Sequence, residues 1–388
     1  MTSSPILIVG GGIGGLTCAA ALSQAGFEVR VFEQAPVLGE VGAGLGLWTN
    51  AVRCLDALGI PSALWDRGCR VKRAQIATAD GRVLARMDVE RASAGFGAHC
   101  YVVHRADLHA AIASLVDPAI VTTGARCVAL EQDGGGVTLR FADGSEARGA
   151  LAIGADGLWS VVRAAVLGEE RPSYSGETCY RGVCAFAPDE PHVLREVQGR
   201  GLRCAVCAIG PERVYWWATR RAPEGERDHP LERKAFLSAL FSGFAFGFPE
   251  ALAVTDPAAI LRNDLYDRPP VRTWTKGRVT LLGDAAHPTT PNLGQGACMA
   301  IEDAIVLRRA LEAHPRDHAA AFASYERTRM PRTDRIVSQS RAMGRIGSWT
   351  SPGAVALRNA ALRSTPAVLA ERLLREQIGY DALTVPLR

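Results

Sequence analysis

The fold is decided by residues 5–33, PILIVGGGIGGLTCAAALSQAGFEVRVFE. PILIVG (residues 5–10) is an apolar run typical of a buried parallel strand, and residues 14–25 have helical periodicity that ends at Gly26. EVRVFE (residues 28–33) has the pattern of a second strand. A strand, a helix and a second strand in this order predict an α/β fold that begins with a βαβ unit.

The glycines of this unit lie where a dinucleotide is held in Rossmann-like folds. Gly10, Gly12 and Gly15 form G-x-G-x-x-G between the strand and the helix, so that the backbone can approach a pyrophosphate at the helix N-terminus. Glu33 ends the second strand, and its charge favours a ribose diol over a 2′-phosphate. FAD or an NAD-like dinucleotide is therefore expected, and a glycine-rich turn without ligand is the alternative. The predicted cofactor-binding residues here are Gly10, Gly12, Ile13, Gly14, Gly15 and Glu33.

Composition indicates a globular enzyme-like chain of two or three domains. The 388 residues are 48% hydrophobic and 22% charged, which excludes disordered and fibrous classes. The net charge of +4 is scattered along the chain, so nucleic-acid binding is not expected. Ten irregularly spaced cysteines argue against a disulfide framework and predict a reducing, cytoplasmic location. The Cys204-x-x-Cys207 pair is predicted to be structural because it lies in a strand. No signal peptide, membrane span or metal site is expected.

Periodicity outlines the rest of the chain. The predicted elements are a helix at 50–59, a hairpin at 71–89 that turns at Asp80-Gly81, a helix at 106–115, a meander at 125–153, strands at 176–220, a helix at 231–244, a strand at 279–284, a helix at 296–312, and a helical tail at 337–377 with a break at 351–353.

Two further stretches identify a family resemblance. GADGLWSVVR (residues 154–163) and GRVTLLGDAAHPTTPNLGQGACMAIEDA (residues 277–304) resemble, together with the first glycine motif, the three motifs of class A flavoprotein monooxygenases of the para-hydroxybenzoate hydroxylase type. TCYRGV (residues 178–183) and YDRPPVRTWTKGRVTLLGD (residues 266–284) resemble the zeaxanthin epoxidase and urate hydroxylase branch. EVGAGLGLWTNAVRCLDALGI (residues 40–60) resembles the salicylate hydroxylases.

The resemblance implies a mixed α/β (α+β) architecture. A Rossmann-like, glutathione-reductase-like FAD-binding domain would carry an inserted β-sheet substrate domain and C-terminal helices. The implied ranges are 1–75, 101–175 and 266–345 for the FAD-binding domain, 76–100 (a hairpin) and 176–265 for the substrate domain, and 346–388 for the C-terminal helical region.

The resemblance also implies roles for individual residues. Asp284 is expected to bind the FAD ribityl chain, with a helix N-cap as its alternative role, and Pro291 to line the ring face on which oxygen reacts. Arg105 is expected near the FAD phosphates, with an exposed cation at a helix start as the alternative. Asp156 matches the middle motif, where an ordinary ion pair with Arg163 is the alternative, and His287 is expected to be a packed residue. Further expected FAD contacts are Gly44, Gly294, Gln295 and Gly296.

The implied reaction is monooxygenation through a flavin C4a-hydroperoxide, with NADH or NADPH as co-substrate. The expected substrate is an aromatic or heteroaromatic small molecule, with epoxidation of an isoprenoid-like or polycyclic substrate as the alternative. An FAD dehydrogenase or oxidase, or a flavin-bound carrier without catalysis, are the rivals from other classes. Catalytic candidates are Arg181, Tyr215 and Pro291, with Trp217 as a further pocket residue.

Asn292 departs from the urate hydroxylase branch, which carries an acidic residue there, and so argues against a urate-like substrate. Arg181 has an exposed strand position as its alternative role. The arginine-rich C-terminal stretch predicts packing on the body of the protein, and peripheral membrane contact is the weaker alternative. A monomer or homodimer is expected.

Overall fold

The computed structural model describes residues 4–39 and 43–388. Residues 40–42, the start of the stretch that resembles the salicylate hydroxylases, lie outside the described residues. The strands are β1 (Ile6–Val9), β2 (Val29–Phe32), β3 (Gly44–Leu47), β4 (Cys69–Val71), β5 (Arg73–Thr78), β6 (Val83–Asp88), β7 (Cys100–His104), β8 (Val121–Thr122), β9 (Cys127–Gln132), β10 (Val137–Phe141), β11 (Glu146–Gly149), β12 (Leu151–Gly154), β13 (Ser173–Ala185), β14 (Val193–Gln198), β15 (Leu202–Ala208), β16 (Arg213–Arg221), β17 (Leu261–Asp267), β18 (Thr275–Lys276) and β19 (Val279–Leu281).

The helices follow the same chain order. They are α1 (Ile13–Gln24), α2 (Thr49–Ala57), α3 (Ala63–Arg67), α4 (Val89–Ser93), α5 (Arg105–Ala113), α6 (Val161–Leu167), α7 (Arg233–Phe241), α8 (Phe248–Val254), α9 (Gly296–Ala313), α10 (His318–Gly347), α11 (Pro352–Ser364) and α12 (Ala367–Ile378).

A mostly parallel sheet forms the centre of the larger core. Its order is β18-β19-β12-β1-β2-β8, and the pairing of β18 with β19 is antiparallel. Every residue of β1 is buried, because helices such as α1 and α9 cover this sheet. The predicted βαβ unit is confirmed, since β1 and β2 pair in parallel on either side of α1 in the chain.

A second, largely antiparallel sheet carries most of the remaining strands. Its order is β17-β13-β16-β15-β14-β5-β6, with a parallel pairing between β14 and β5. One face packs on α7 and α8 around the buried Trp216, and the opposite face meets α4, α12 and β7. The hairpin predicted around Asp80-Gly81 is confirmed as β5 and β6. The hairpin begins at Arg73, three residues before the range expected for it, and the domain ranges stay predictions.

The predicted meander at 125–153 is wrong in its last strand. β9, β10 and β11 form an antiparallel three-stranded sheet, but β12 leaves it and pairs in parallel with β1 and β19. All four residues of β12 are buried, as expected for a strand covered on both faces. This pairing brings the middle motif to the carboxyl edge of the same sheet as the glycine motif.

The Cys204 and Cys207 thiols lie on opposite faces of β15. Cys204 belongs to the core beneath α7 and α8, whereas Cys207 packs in the core on the other face. Burial raises the pKa of both thiols, to about 12 for Cys207. The structural role predicted for this pair therefore fits its surroundings.

Within residues 4–39 and 43–388, no group of His, Cys, Asp and Glu is arranged to hold a metal ion, and no helix is long and apolar enough to span a membrane.

Candidate active site

The turn between β1 and α1 is shaped by contacts that exclude side chains. Gly10 has φ +109°, and a Cβ on Gly15 would lie 1.9 Å from the Gly10 carbonyl oxygen. A Cβ on Gly14 would lie 2.9 Å from the Leu282 side chain, so Gly14 lets α1 pack closely on the core. Gly12, by contrast, faces open space at the helix N-terminus. The open position beside the first N–H groups of α1 suits a phosphate.

Acidic side chains just beyond β2 and β12, the two strands that flank β1, hold the turns around this opening. The Glu33 carboxylate accepts hydrogen bonds from the Gly11 N–H at 2.6 Å and the Ala35 N–H at 2.7 Å. Asp156 accepts one from the Ser160 hydroxyl and another from the Val161 N–H at 2.8 Å. Asp156 therefore helps to cap α6.

Arg163 does not pair with Asp156, so the ion pair weighed as their alternative role is not formed. Its guanidinium donates 2.9 Å hydrogen bonds to the carbonyls of Ala285 and Ala286 instead. The middle motif is thereby fastened to the chain segment that contains Asp284.

Asp284 lies in a cleft at the end of β19. Its side chain is accessible from the cleft, but the surrounding protein desolvates it and raises its pKa, an effect that the charges of His287 and Arg105 oppose. A Cβ on Gly296, at the start of α9, would lie 4.0 Å from the Asp284 carboxylate. The third motif therefore brings an acidic side chain against the free N–H groups of a helix N-terminus.

A buried charge network supports this motif from behind. Asp303 accepts hydrogen bonds from the Gly283 N–H at 3.0 Å, His287 Nε2 at 2.6 Å and Arg329 Nε at 2.6 Å. Burial opposes ionisation of Asp303, but His287 and Arg329 lower its pKa to about 2. His287 is buried and packs against Trp274, as predicted for a packed residue.

The second sheet presents one face to this region. The register places Arg181, Trp217 and Ala205 in one cross-strand row and Val183, Tyr215 and Cys207 in the next. The Tyr215 ring fills the space beside Gly44, where a Cβ would lie 2.3 Å from Tyr215 Cγ. Burial raises the pKa of Tyr215, and the charges of Arg181 and Arg105 oppose this. The candidate residues Arg181, Tyr215 and Gly44 are thus brought together, and Arg105, at the start of α5, lies nearby.

The sequence-based candidates omitted Arg203, which joins this face to the third motif. The Arg203 side chain is buried, forms an ion pair with Glu177 at 3.0 Å and donates to Asn292 Oδ1 at 2.8 Å. Asn292 follows Pro291, an exposed residue at the start of a 3₁₀ turn that ends before Gly294 (φ +59°). The sequence does contain a signal for the position of Arg203. A hairpin of β15 and β16 that turns at Gly210-Pro211 places Arg203 beside Thr219.

Comparison with known proteins decides the family. The FAD binding domain family matches residues 3–340. The chain belongs to this family. It is 39% identical to an aurachin C monooxygenase/isomerase of Stigmatella aurantiaca over 98% of this chain and 100% of that protein. It is 38% identical to a 3-hydroxybenzoate 6-hydroxylase of Polaromonas naphthalenivorans over 88% of each chain. The crystal structure of Klebsiella pneumoniae HpxO with FAD and uric acid superposes with a TM-score of 0.89 at 30% identity, covering 96% of both chains.

The predicted resemblance is confirmed, and this FAD-binding family member is an FAD-dependent monooxygenase of the aromatic hydroxylase type. The flavin brings the chemistry with NAD(P)H and O₂. Two buried polar atoms near the third motif fit such a ligand, because Trp48 Nε1 and Gln295 Nε2 have no partner among the described residues. Trp48 Nε1 lies 3.2 Å from where a Gly294 Cβ would be. The open space at Gly12 and the cleft at Asp284 complete a set of positions able to hold the FAD diphosphate, ribityl chain and ring.

Proposed function

We propose that the chain hydroxylates an aromatic or heteroaromatic ring that carries an ionisable oxygen substituent. The ring would lie between the flavin and the sheet face formed by Arg181, Tyr215 and Trp217. Among the relatives, the 3-hydroxybenzoate 6-hydroxylase is named for such a ring, and HpxO was crystallised with uric acid, another oxygen-substituted ring. The reaction would convert a ring C–H to C–OH with consumption of O₂, NAD(P)H and a proton, and release of water and NAD(P)⁺.

Three buried polar atoms carry this proposal. Arg181 Nε, Arg203 Nε and Thr219 Oγ1 are buried and have no hydrogen-bond partner among the described residues. They belong to one face of the second sheet, since Thr219 pairs with both Cys179 and Arg203 and Arg181 lies two residues beyond Cys179. Leaving a buried polar atom unsatisfied costs about 1–3 kcal/mol, so a ligand that supplies oxygen acceptors here would be favoured.

Arg181 is the proposed contact to the ring oxygen. Its Nη2 is held by Asn263 Oδ1 at 2.7 Å, which fixes the guanidinium while Nε stays unpaired. A cation beside a phenolic or enolic oxygen favours the anionic form, and this form raises the electron density on the ring carbons that oxygen attacks. Tyr215, which packs against Gly44, and Pro291 are proposed to line the ring on either side. We also propose that the FAD contacts expected from sequence, including Arg105 and Gly296, bind the cofactor.

The epoxidase alternative rests on relatives such as the zeaxanthin epoxidase of Nicotiana plumbaginifolia, of which the chain spans 52% at 35% identity. A hydrocarbon double bond would offer no acceptor to the unpaired atoms of Arg181, Arg203 and Thr219. This difference favours hydroxylation. Both reactions add a single oxygen atom, so the mass of the product does not separate them. NMR of the product does, because a ring hydroxyl and an epoxide have different chemical shifts.

The proposal is tested by steady-state kinetics with a panel of hydroxybenzoates, hydroxyquinolones and urate, using NADH and NADPH. For the best substrate, we expect Arg181→Gln to raise KM about tenfold, corresponding to about 1.4 kcal/mol, and Thr219→Val to raise it severalfold. Arg221→Gln, at an exposed position in β16, is the matched control and should behave as the wild type. Unchanged KM and kcat in both Arg181→Gln and Thr219→Val would overturn the proposed substrate site.

A further inference from the structure

The C-terminal part of the chain concentrates exposed aliphatic side chains. A single exposed apolar residue is ordinary on a protein surface, whereas several in one segment suggest a contact surface. Of twelve large hydrophobic side chains exposed in the described residues, six lie between 343 and 373. Four of the six lie in α11 and α12, which we together call the C-terminal hairpin, and two lie near the end of α10. The six residues, with Val368 the most exposed at 76%, are Met343, Ile346, Leu357, Val368, Leu369 and Leu373.

The same segment is basic. The C-terminal hairpin carries four arginines against Glu371 and Glu376, and residues 335–370 contain five arginines and no Asp or Glu. Three of the arginines are engaged: Arg335 pairs with Glu376, Arg341 pairs with Asp267, and Arg358 donates to backbone carbonyls. The other two, Arg345 and Arg363, are exposed and form no ion pair with the described residues.

A basic cavity lies beside the beginning of α12. Its volume is about 520 Å³, and Ala367, the first residue of α12, forms part of its wall. The lining carries four arginines against two carboxylates. The four are Arg73, Arg86, Arg91 and Arg195. Arg73 and Arg195 both pair with Glu190 and Arg91 pairs with Glu371 of α12, which leaves a small net positive charge at the base of the C-terminal hairpin.

We propose that the C-terminal hairpin docks on the surface of a membrane that contains anionic phospholipids. Aliphatic side chains interleaved with arginine suit the boundary between acyl chains and phosphate headgroups. A two-fold contact with a second copy would bring the exposed arginines of both copies together, which favours an anionic partner.

Flotation of the FAD-loaded protein tests this proposal. The probes are vesicles of phosphatidylcholine alone and of phosphatidylcholine with phosphatidylglycerol, at low and high salt. The test variant is Leu357→Asp/Val368→Asp. Both positions are exposed, and an aspartate in the first turn of α12 is compatible with the helix dipole. The matched control is Leu231→Asp/Val254→Asp, which makes the same changes at side chains that are 65% and 58% exposed.

We expect the wild type and the control to float with the anionic vesicles, with binding reduced at high salt and on neutral vesicles. The Leu357→Asp/Val368→Asp variant should lose at least tenfold of the vesicle-bound fraction while keeping its bound flavin. Two results would overturn the proposal. One is flotation of the test variant equal to that of the wild type. The other is no flotation of the wild type, and a wild-type dimer that the test variant converts to a monomer would then assign the surface to a second copy of the chain.

Discussion

Gly12 and Gly15 belong to one motif but have different physical surroundings. Gly15 lies against the Gly10 carbonyl, so any side chain there would displace the first turn of α1. A Cβ on Gly12 would have no atom within 4 Å, and Gly12 has φ −76°, which any residue can adopt. A substitution at Gly12 should therefore change ligand binding without changing the stability of the fold.

We predict that Gly12→Ala lowers FAD affinity by tenfold or more while leaving the melting temperature of the flavin-free protein unchanged. The added methyl group would occupy the space reserved for the pyrophosphate. Flavin content after purification and FAD titration provide the measurement. Gly134→Ala, at another open position, is the control. Normal FAD affinity in Gly12→Ala would show that the diphosphate lies elsewhere.

Asp303 is the residue on which the buried network depends. It is completely buried and holds Gly283, His287 and Arg329 at once. Because its folded pKa of about 2 lies below the ordinary value of 3.8, its ionised form stabilises the fold above about pH 4, and this contribution is lost as the pH falls towards 2.

We expect Asp303→Asn to reduce the free energy of unfolding by about 3–5 kcal/mol at neutral pH, since it removes the charge that compensates the buried Arg329 guanidinium. The variant should also show a weaker loss of stability between about pH 4 and pH 2. Urea unfolding at several pH values measures both effects. Asp189→Asn removes an exposed carboxylate and should change neither. A wild-type pH profile in Asp303→Asn would contradict the role assigned to this group.

At the scale of elements, α10 sets the position of the turn that begins at Pro291. A Cβ on Gly344 would lie 2.6 Å from Asn292 Nδ2, and one on Gly347 would lie 2.9 Å from the Arg203 side chain. These two glycines let the end of α10 pack directly on the residues that join the third motif to the second sheet. The proposed substrate and flavin positions would thereby be coupled through one face of α10.

Gly344→Ala is therefore expected to displace Asn292 and lower kcat/KM about tenfold, with only a modest fall in melting temperature. Steady-state kinetics and a thermal unfolding curve separate the two effects. Gly353→Ala, in α11 with open space around it, should leave the kinetics unchanged and stabilise its helix by up to about 1 kcal/mol. Wild-type kinetics in Gly344→Ala would exclude this coupling.

Periodicity was sufficient to predict elements whose burial pattern is regular. α1, α9 and the β5–β6 hairpin were predicted close to their observed bounds. β12 was misassigned to the meander because a four-residue apolar run has the same pattern in either sheet. The start of α10 at His318 was missed, since the tail was expected to become helical only at 337. Short strands and long polar helices carry too little periodic signal.

At the scale of the whole molecule, the site is assembled from distant parts of the chain. The proposed flavin-binding positions come from three motifs that the sheet order β19-β12-β1-β2 brings together, and these motifs are recognisable from sequence. The contact between Arg203 and Asn292 spans 89 residues and depends on how the two sheets face each other. The β15–β16 pairing can indicate that Arg203 lies beside Thr219, but no local pattern indicates its contact with Asn292, and the sequence therefore predicts Arg181 and Tyr215 but not the role of Arg203.

The most direct test of the account is product analysis under ¹⁸O₂ with the FAD-loaded protein, NADH or NADPH, and the panel of oxygen-substituted aromatic rings. We predict that one ring compound stimulates NAD(P)H oxidation and yields a hydroxylated product that carries a single ¹⁸O atom from O₂. NAD(P)H oxidation that produces only hydrogen peroxide, with no labelled product from any ring compound, would contradict the assignment of an oxygen-inserting aromatic hydroxylase.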